Sequence, residues 1–171
     1  GASIGGFTDC LLQNGAEKIY AVDVDTRQMD WRLSNDPRVV LMNKNARYIE
    51  REDFDREIQL VTMDLSFISI LKVLPAVMNV ATKAKIISLI KPQFEAGRSQ
   101  VGKNGVIRDP HVHDEILNRV LEKILEMGFK VHGLTESPVR GQKGNREFFV
   151  LCSDKENKMN PRNAKAKLAC K

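Results

Sequence analysis

The sequence predicts an α/β fold in which a mostly parallel sheet is covered by helices on both faces. Short apolar and β-branched runs alternate with segments of helical spacing, and no repeat or low-complexity block interrupts this alternation. The last two strand candidates are separated by only a short, glycine-rich and basic connection. Because a parallel return needs a long crossover, we expect one strand of this pair to be antiparallel.

The strand candidates are apolar runs, several of which end in a charged residue. They lie at 17–23, 38–42, 58–64, 85–91, 130–135 and 146–151. Between them, Asp25 is a candidate cap for a helix that extends to about Ser34, and 71–81 has helical spacing, with a start near Pro75. The segment 93–108 fits neither pattern. A loop of this length in a compact domain is usually functional.

The clearest helix begins at Asp109 and Pro110, a capping side chain followed by proline in the first turn. Gly128 ends it. Its apolar residues form one face, which comprises Val112, Ile116, Leu117, Val120, Leu121, Ile124 and Leu125. His111 and His113 are two residues apart and point in different directions, so we interpret both as solvated helix residues and not as metal ligands. Trp31 and Phe54 are candidates for core residues or for residues that stack on a base, and we interpret both as core residues.

Composition is that of a globular protein: the 171 residues are 42% hydrophobic and 29% charged. This length suits one domain. No apolar run approaches the roughly 20 residues that cross a bilayer, and residues 1–6 lack the features of a signal peptide. The odd count of cysteines (Cys10, Cys152 and Cys170) contains no C-x-x-C pair. This argues against a disulfide framework or a zinc site and favours a reduced, cytoplasmic setting.

Positive charge is concentrated at the carboxyl end. The net charge is +5, and residues 154–171 contain six lysines and arginines but only two acidic residues. We therefore divide the chain into a folded domain, 1–153, and a basic tail, 154–171, which is expected to be disordered. A basic tail is typical of a nucleic-acid partner and equally typical of a solvated terminus.

Residues that can bind a ligand follow the predicted strands, where open parallel sheets bind their ligands. The glycine-rich run 1–9 is a candidate strand-to-helix turn that lets backbone approach a ligand, although an ordinary tight turn fits it equally well. It is not G-x-G-x-x-G, which disfavours a dinucleotide dehydrogenase. Asp23 ends a strand, where an acid can accept hydrogen bonds from both hydroxyls of a ribose. Alternatively, it caps the next helix.

An acid and an amine follow two successive strands. Asp64 ends the strand candidate at 58–64, and Lys91 ends the one at 85–91. We expect the two side chains to meet at one edge of the sheet. Glu147 opens the last strand, and an antiparallel direction would bring this second acid to the same cleft.

Several sequence blocks, in order, resemble one family. The chain contains GASIGGFTDCLLQNGA, AVDVD, DLSFIS, LIKPQFEAGR, VGKNGVIRDP and GNREFF. These blocks resemble the TlyA family of haemolysin-named proteins, within the FtsJ-like superfamily of ribose 2′-O-methyltransferases, over residues 1 to about 152. The resemblance implies a Rossmann-like S-adenosylmethionine-dependent methyltransferase fold and methylation of cytidine 2′-hydroxyls in ribosomal RNA.

The resemblance also implies roles for particular residues. Asp64, Lys91 and Glu147 match three members of the superfamily's Lys-Asp-Lys-Glu tetrad. The first lysine, the strand that leads into Gly1 and an S4-like RNA-binding domain lie upstream of the matched region in the family, and we expect them to be missing from this chain. The implied S-adenosylmethionine-binding residues are Gly1, Ala2, Ser3, Gly5, Gly6, Phe7, Asp23, Val24, Asn45, Ala46, Asp64 and Leu65.

The expected chemistry agrees with these residue types. A ribose hydroxyl is a poor nucleophile, and a lysine can assist it as a base or as a cation that stabilises a developing alkoxide. Carboxylates can orient the amine and the hydroxyl, in-line positioning supplies much of the rate, and no metal is required. Phosphate contacts of ribosomal RNA or ribosomal subunits are expected at basic loop residues. These are Arg98, Lys103, Arg108, Arg140 and Lys143.

Two other functions remain open at this stage. The family's historical name suggests a membrane-active haemolysin, but the sequence contains neither a spanning run nor a strongly basic amphipathic helix. An RNA-binding module that has the fold without the catalysis is the other alternative, because the upstream lysine and strand are not in the chain.

Overall fold

The computed structural model describes residues 1–97, 100–102 and 105–154. The predicted tail, apart from Asp154, lies outside the described residues. Arg98, Lys103 and Cys170 also lie outside them.

The described residues form an α/β fold of alternating helices and strands. The helices are α1 (Gly6–Gln13), α2 (Trp31–Ser34), α3 (Leu74–Val80), α4 (Pro92–Glu95) and α5 (Pro110–Glu126). The strands are β1 (Ile19–Asp23), β2 (Val39–Asn43), β3 (Leu60–Met63), β4 (Lys85–Ile90), β5 (Phe129–Glu136) and β6 (Phe148–Asp154). Each predicted strand is present, with bounds shifted by one to three residues.

Strand directions follow the prediction. β1 pairs with β2 and β3 pairs with β4, both in parallel. β6 lies between β4 and β5 and is antiparallel to both. The antiparallel last strand brings the residues before Phe148 to the edge at which β3 and β4 end, because Ile90 pairs with Phe148.

The sheet is divided between β1 and β3. One part contains β1 and β2, and the other has the order β3-β4-β6-β5. A cavity of about 600 Å³ separates the two parts and is lined by residues of β1 and β3. Gly1 also lines this cavity.

The main core lies where α3 and α5 pack on the four-stranded part of the sheet. Ile116, Val120 and Ile124 of α5 are fully buried and join one cluster with Val77 of α3 and Val150 of β6. Each fully buried side chain of this kind contributes roughly 1.5–3 kcal/mol of transfer free energy. The predicted start of α5 is confirmed, because the Asp109 side chain accepts a hydrogen bond from the His111 amide at 2.9 Å.

Four sequence predictions about individual elements are wrong. Asp25 caps only a 3-10 turn, Thr26–Gln28, and a separate cap, Asp30, starts α2. His113 is 2% exposed, because its position on α5 places it on the same face as the apolar residues. Trp31 is 75% exposed at the start of α2, and Leu125 is 46% exposed. Phe54, in contrast, is in the core as predicted.

Candidate active site

The predicted site residues lie along one edge of the sheet, at the carboxyl ends of β1, β2, β3 and β4. Contacts link them from one strand to the next. The glycine-rich turn before α1 contacts Asp23 at the end of β1 on one side and the backbone of Asp64 after β3 on the other. The site therefore spans the divided sheet and includes the end of the cavity between its two parts.

The turn that precedes α1 brings backbone to this edge and leaves no room for side chains at two glycines. A Cβ on Gly1 would overlap the backbone oxygen of Asp64, and a Cβ on Gly5 would overlap Leu33 and Met29. Gly5 also has a φ of 105°, in the left-handed region that favours glycine. The two glycines therefore let the turn pack closely against the end of β3 on one side and against α2 on the other.

Asp23 is an acceptor at the end of β1. Its Oδ2 accepts a hydrogen bond from the Ser3 amide at 2.9 Å, and its Oδ1 accepts one from the Asp25 amide at 3.1 Å. Burial acts to raise the pKa of Asp23, but backbone hydrogen bonds, together with the positive charge at Gly1, outweigh it and the pKa is lowered. The carboxylate is therefore ionised at neutral pH and retains lone pairs for hydroxyl donors.

Asp64 and Lys91 meet as predicted. The Lys91 Nζ lies 2.6 Å from the Asp64 Oδ1, and it donates a hydrogen bond to the Ser66 Oγ at 3.3 Å. The Lys91 side chain is 13% exposed, whereas that of Asp64 is 43% exposed. The ammonium is thus largely enclosed, and the carboxylate beside it faces the open side of the edge.

Glu147 lies immediately before β6 and reaches the same edge. Its residue is 7% exposed, and its Oε1 accepts a hydrogen bond from the Gln93 Nε2 at 3.2 Å. A Cβ on Gly141 would overlap this carboxylate, so the glycine leaves the space that Glu147 occupies. Gln93 follows Lys91 by two residues, which connects Glu147 to the strand end that carries the amine.

The remaining predicted cofactor residues lie around the same edge. The Asn45 side chain accepts a hydrogen bond from the Arg47 amide at 3.1 Å and starts a 3-10 turn after β2. Ala46 and Phe7 line the cavity, Val24 is 67% exposed after Asp23, and Leu65 is 8% exposed after Asp64. The backbone of the glycine-rich turn, the ionised Asp23 and the apolar residues around the cavity together fit a nucleoside that carries a charged tail. S-adenosylmethionine is a ligand of this kind.

The predicted RNA-contacting residues are only partly described. Arg108 is exposed before α5, and the Arg140 Nη1 lies 3.3 Å from the Glu136 Oε1. Lys143 has a φ of 59° in the connection between β5 and β6, which is the connection that carries Gly141 next to Glu147. Arg98 and Lys103 lie outside the described residues.

Sequence reasoning missed the residues that hold the predicted catalytic side chains. Ser66, Gln93 and Gly141 contact Lys91 or Glu147, and Glu95 contacts the loop after Asp64. For Gln93 and Glu95, the sequence contains one signal, which is their spacing from Lys91. Gln93 and Glu95 follow Lys91 at intervals of two residues within a segment that was left unassigned.

Two kinds of site find no support in the described part of the chain. No group of three or more histidine, cysteine, aspartate or glutamate residues there could hold a metal ion. None of the described helices is both long and apolar enough to cross a membrane.

The fold just described is that of an α/β methyltransferase. An S-adenosylmethionine-dependent methyltransferase structure from Listeria monocytogenes superimposes with a TM-score of 0.64 at 16% identity, over 91% of this chain and 89% of that one. At this identity the likeness concerns the fold alone. It agrees with the predicted methyltransferase fold.

Sequence matches identify the family within that class. The FtsJ-like methyltransferase family matches residues 1–154. A hemolysin-named protein of Lactococcus lactis is 46% identical with a TM-score of 0.85, over 89% of this chain and 74% of that one. The chain therefore belongs to the FtsJ-like methyltransferase family, in its hemolysin-named TlyA group.

Two curated relatives bear different names. Hemolysin A of Brachyspira hyodysenteriae is 47% identical over 88% of this chain and 64% of its own length. The 16S/23S rRNA (cytidine-2′-O)-methyltransferase TlyA of Mycobacterium tuberculosis is 44% identical over 88% of this chain and 57% of its own length. The chain thus spans less than two thirds of each of these relatives.

Proposed function

We propose that the protein transfers a methyl group from S-adenosylmethionine to the 2′-hydroxyl of cytidine in ribosomal RNA. The observation that carries the proposal is the pair of Lys91 and Asp64, 2.6 Å apart beside the glycine-rich turn. An amine and a carboxylate at this edge are the groups that a weakly acidic hydroxyl needs. The name of the Mycobacterium tuberculosis relative supplies the substrate.

The cofactor would be bound by the turn and by Asp23. The backbone of the turn would lie against the cofactor, and the Asp23 carboxylate would accept hydrogen bonds from ribose hydroxyls. Asn45 and Ala46, after β2, would contact the base. Bound S-adenosylmethionine supplies a methyl group activated by a sulfonium.

The chain's own residues would orient the RNA hydroxyl and receive its proton. Lys91, held by Asp64 and Ser66, would place its N–H groups toward the ribose oxygen and stabilise the negative charge that develops there. The Asp64–Lys91 pair would receive the hydroxyl proton when the methyl group is transferred to the ribose oxygen. Glu147, held by Gln93, would orient the ribose from the other side.

Basic residues of the two flanking loops would contact RNA phosphates. Arg108, Arg140 and Lys143 lie on the segments before α5 and between β5 and β6. Arg98 and Lys103, which the structure does not describe, complete the predicted set. Such contacts position the RNA without reading its sequence.

The test measures cofactor binding and methyl transfer separately. Calorimetry with S-adenosylmethionine would give the affinity, and ribosomal subunits with tritiated cofactor would give the rate, with the product mapped as 2′-O-methylcytidine. Binding followed by transfer to cytidine 2′-oxygens is the expected result. Binding without transfer would replace this proposal with a non-catalytic RNA-binding module, and transfer to a base would contradict the assigned reaction.

A further inference from the structure

The four-residue helix α4 (Pro92–Glu95) connects the three predicted catalytic residues. Lys91 is the residue that caps its start, and the Lys91 Nζ reaches the Asp64 Oδ1 at 2.6 Å. Gln93, inside α4, donates a hydrogen bond to the Glu147 Oε1 at 3.2 Å. Lys91 therefore caps α4 and contacts Asp64, and a residue within α4 contacts Glu147.

The last residue of α4 holds the loop that follows Asp64. The Glu95 carboxylate accepts a hydrogen bond from the Ser69 hydroxyl at 2.5 Å and another from the Ile70 amide at 2.9 Å. Ile70 begins a 3-10 turn, Ile70–Lys72, and the first amides of such a turn have no acceptor within it. Glu95 supplies that acceptor from a segment 25 residues away along the chain.

The helix itself is anchored to the core. The Arg119 Nη2 on α5 donates a hydrogen bond to the Glu95 backbone oxygen at 2.7 Å. Because α5 is packed into the core through Ile116, Val120 and Ile124, this bond ties the end of α4 to a well-anchored element. The position of the Glu95 carboxylate is then set by the core and not by the loop that it holds.

The loop between Asp64 and Ser69 needs such support. Phe67 has a φ of 64° and is 88% exposed. A left-handed backbone is unfavourable for residues other than glycine, and the exposed ring gains no burial that would offset this cost. A conformation of this kind persists only where the surroundings impose it. Lys91 holds one end of the loop, Glu95 holds the other, and the Phe94 ring lies 5.1 Å from that of Phe67.

Glu147 is also held in place by a residue of α4. The carboxylate is enclosed between Gln93, which donates to it, and Gly141, where a side chain would overlap it. No other hydrogen bond to the Glu147 carboxylate is recorded among the described residues. Loss of the Gln93 amide would therefore leave its orientation to packing alone.

We propose that α4 is the positioning element of the site, in which Glu95 fixes the loop that carries Asp64 and Gln93 aims the Glu147 carboxylate. The two are positioning residues and not catalytic residues, since they act through Asp64, Lys91 and Glu147. The proposal deepens the function proposed above and rests on it for its kinetic consequence. Its structural consequence, an ordered loop after Asp64, is independent of catalysis.

The first experiment measures amide hydrogen exchange in Glu95→Ala. The Ile70 amide and its neighbours in the loop should exchange at least about tenfold faster than in the wild type, while amides in the middle of α5 stay unchanged. Glu95→Gln keeps a carbonyl oxygen for Ile70 and should restore most of the protection. The matched control is Glu126→Ala, which removes a carboxylate from an exposed pair with Lys123 on α5.

The second experiment measures methyl transfer by the same variants. Glu95→Ala and Gln93→Ala should each lower kcat by about tenfold to a hundredfold, the range expected when a reacting group is misplaced by about 1 Å. The KM for S-adenosylmethionine should stay within about twofold of the wild-type value. Adding Gln93→Ala to Glu147→Ala should lower kcat no further, because the two residues act as one unit.

The outcomes separate this proposal from the proposed function. Unchanged loop exchange in Glu95→Ala, or faster exchange with full kcat in an active chain, would overturn the positioning role. Additive losses for Gln93 and Glu147 would overturn the Gln93 arm, because they indicate independent effects. If Glu95→Ala exchanges faster in a chain that binds S-adenosylmethionine but transfers no methyl group, the role of Glu95 in fixing the loop is supported. Only the proposed function is then overturned.

Discussion

Replacement of Lys91 by methionine tests the centre of the proposed site with a side chain of similar length and no charge. The ammonium lies 2.6 Å from the Asp64 Oδ1, in a side chain that is 13% exposed, whereas the Asp64 side chain is 43% exposed. The substitution leaves the carboxylate where water can solvate it. We therefore expect a small loss of stability and a large loss of methyl transfer.

The two expected effects differ in size. An ion pair with a half-exposed partner contributes about 1 kcal/mol or less. In a domain of this length, about 1 kcal/mol lowers Tm by roughly 2–4 °C and leaves nearly all of the protein folded. Loss of a positioned proton-transfer group lowers the rate by about 10²–10⁴-fold, or about 3–5 kcal/mol of activation free energy. Unfolding cannot account for a loss of that size.

The assay is tritiated methyl transfer to ribosomal subunits, with cofactor affinity from calorimetry and Tm from thermal unfolding. Lys18→Met is the matched control, because Lys18 forms an ion pair with Asp55 at 2.5 Å next to the amino end of β1, whereas the predicted site lies at the carboxyl end of the strands. It should transfer methyl groups at the wild-type rate. The reasoning is refuted if Lys91→Met retains more than a tenth of the wild-type kcat, or if both variants lose activity equally.

The remaining predictions concern stability, reactivity and RNA binding. Burial raises the pKa of Glu95, so its contribution to stability is lost as pH rises through that pKa; the Tm of Glu95→Gln relative to wild type should therefore increase from about pH 4 to about pH 8. Ile124→Ala should lower the free energy of unfolding by about 2–5 kcal/mol in denaturant titrations, since Ile124 is fully buried. Burial raises the pKa of the Cys152 thiol to about 11, so alkylation followed by mass spectrometry should modify it only after unfolding. Lys143→Ala should reduce the salt dependence of RNA binding by roughly one phosphate contact, with kcat preserved, in binding measurements at several salt concentrations.

The pair of Asp64 and Lys91 could be predicted because its placement depends on local pattern. Both residues end apolar runs, and the carboxyl ends of neighbouring parallel strands lie at one edge. Glu147 required one more step, the antiparallel direction of the last strand, which followed from the short connection before it. Where a side chain is placed by the strand that carries it, periodicity and connection length were sufficient.

The errors arose where the wrong neighbours were considered. His113 was interpreted from its distance to His111, but it lies three and four residues before Ile116 and Leu117, which is the spacing of one helix face. The buried ring accordingly contacts Phe148. Trp31 was assigned to the core by residue type, although α2 is only four residues long and buries none of them.

The supporting residues of the site could not be predicted, for a physical reason. α4 has four residues, about one turn, which is too short for a hydrophobic period to be visible. Its contacts join residues 24 to 54 positions apart, and hydrogen bonds between such distant residues leave no periodic trace in the sequence. The left-handed Phe67 adds a conformation that a phenylalanine would not suggest. Charges at strand ends thus indicate where chemistry can occur. The polar contacts that hold those charges become visible only when the loops are placed against one another, and for this reason variants at Gln93 and Glu95 test the structure more directly than variants at Lys91.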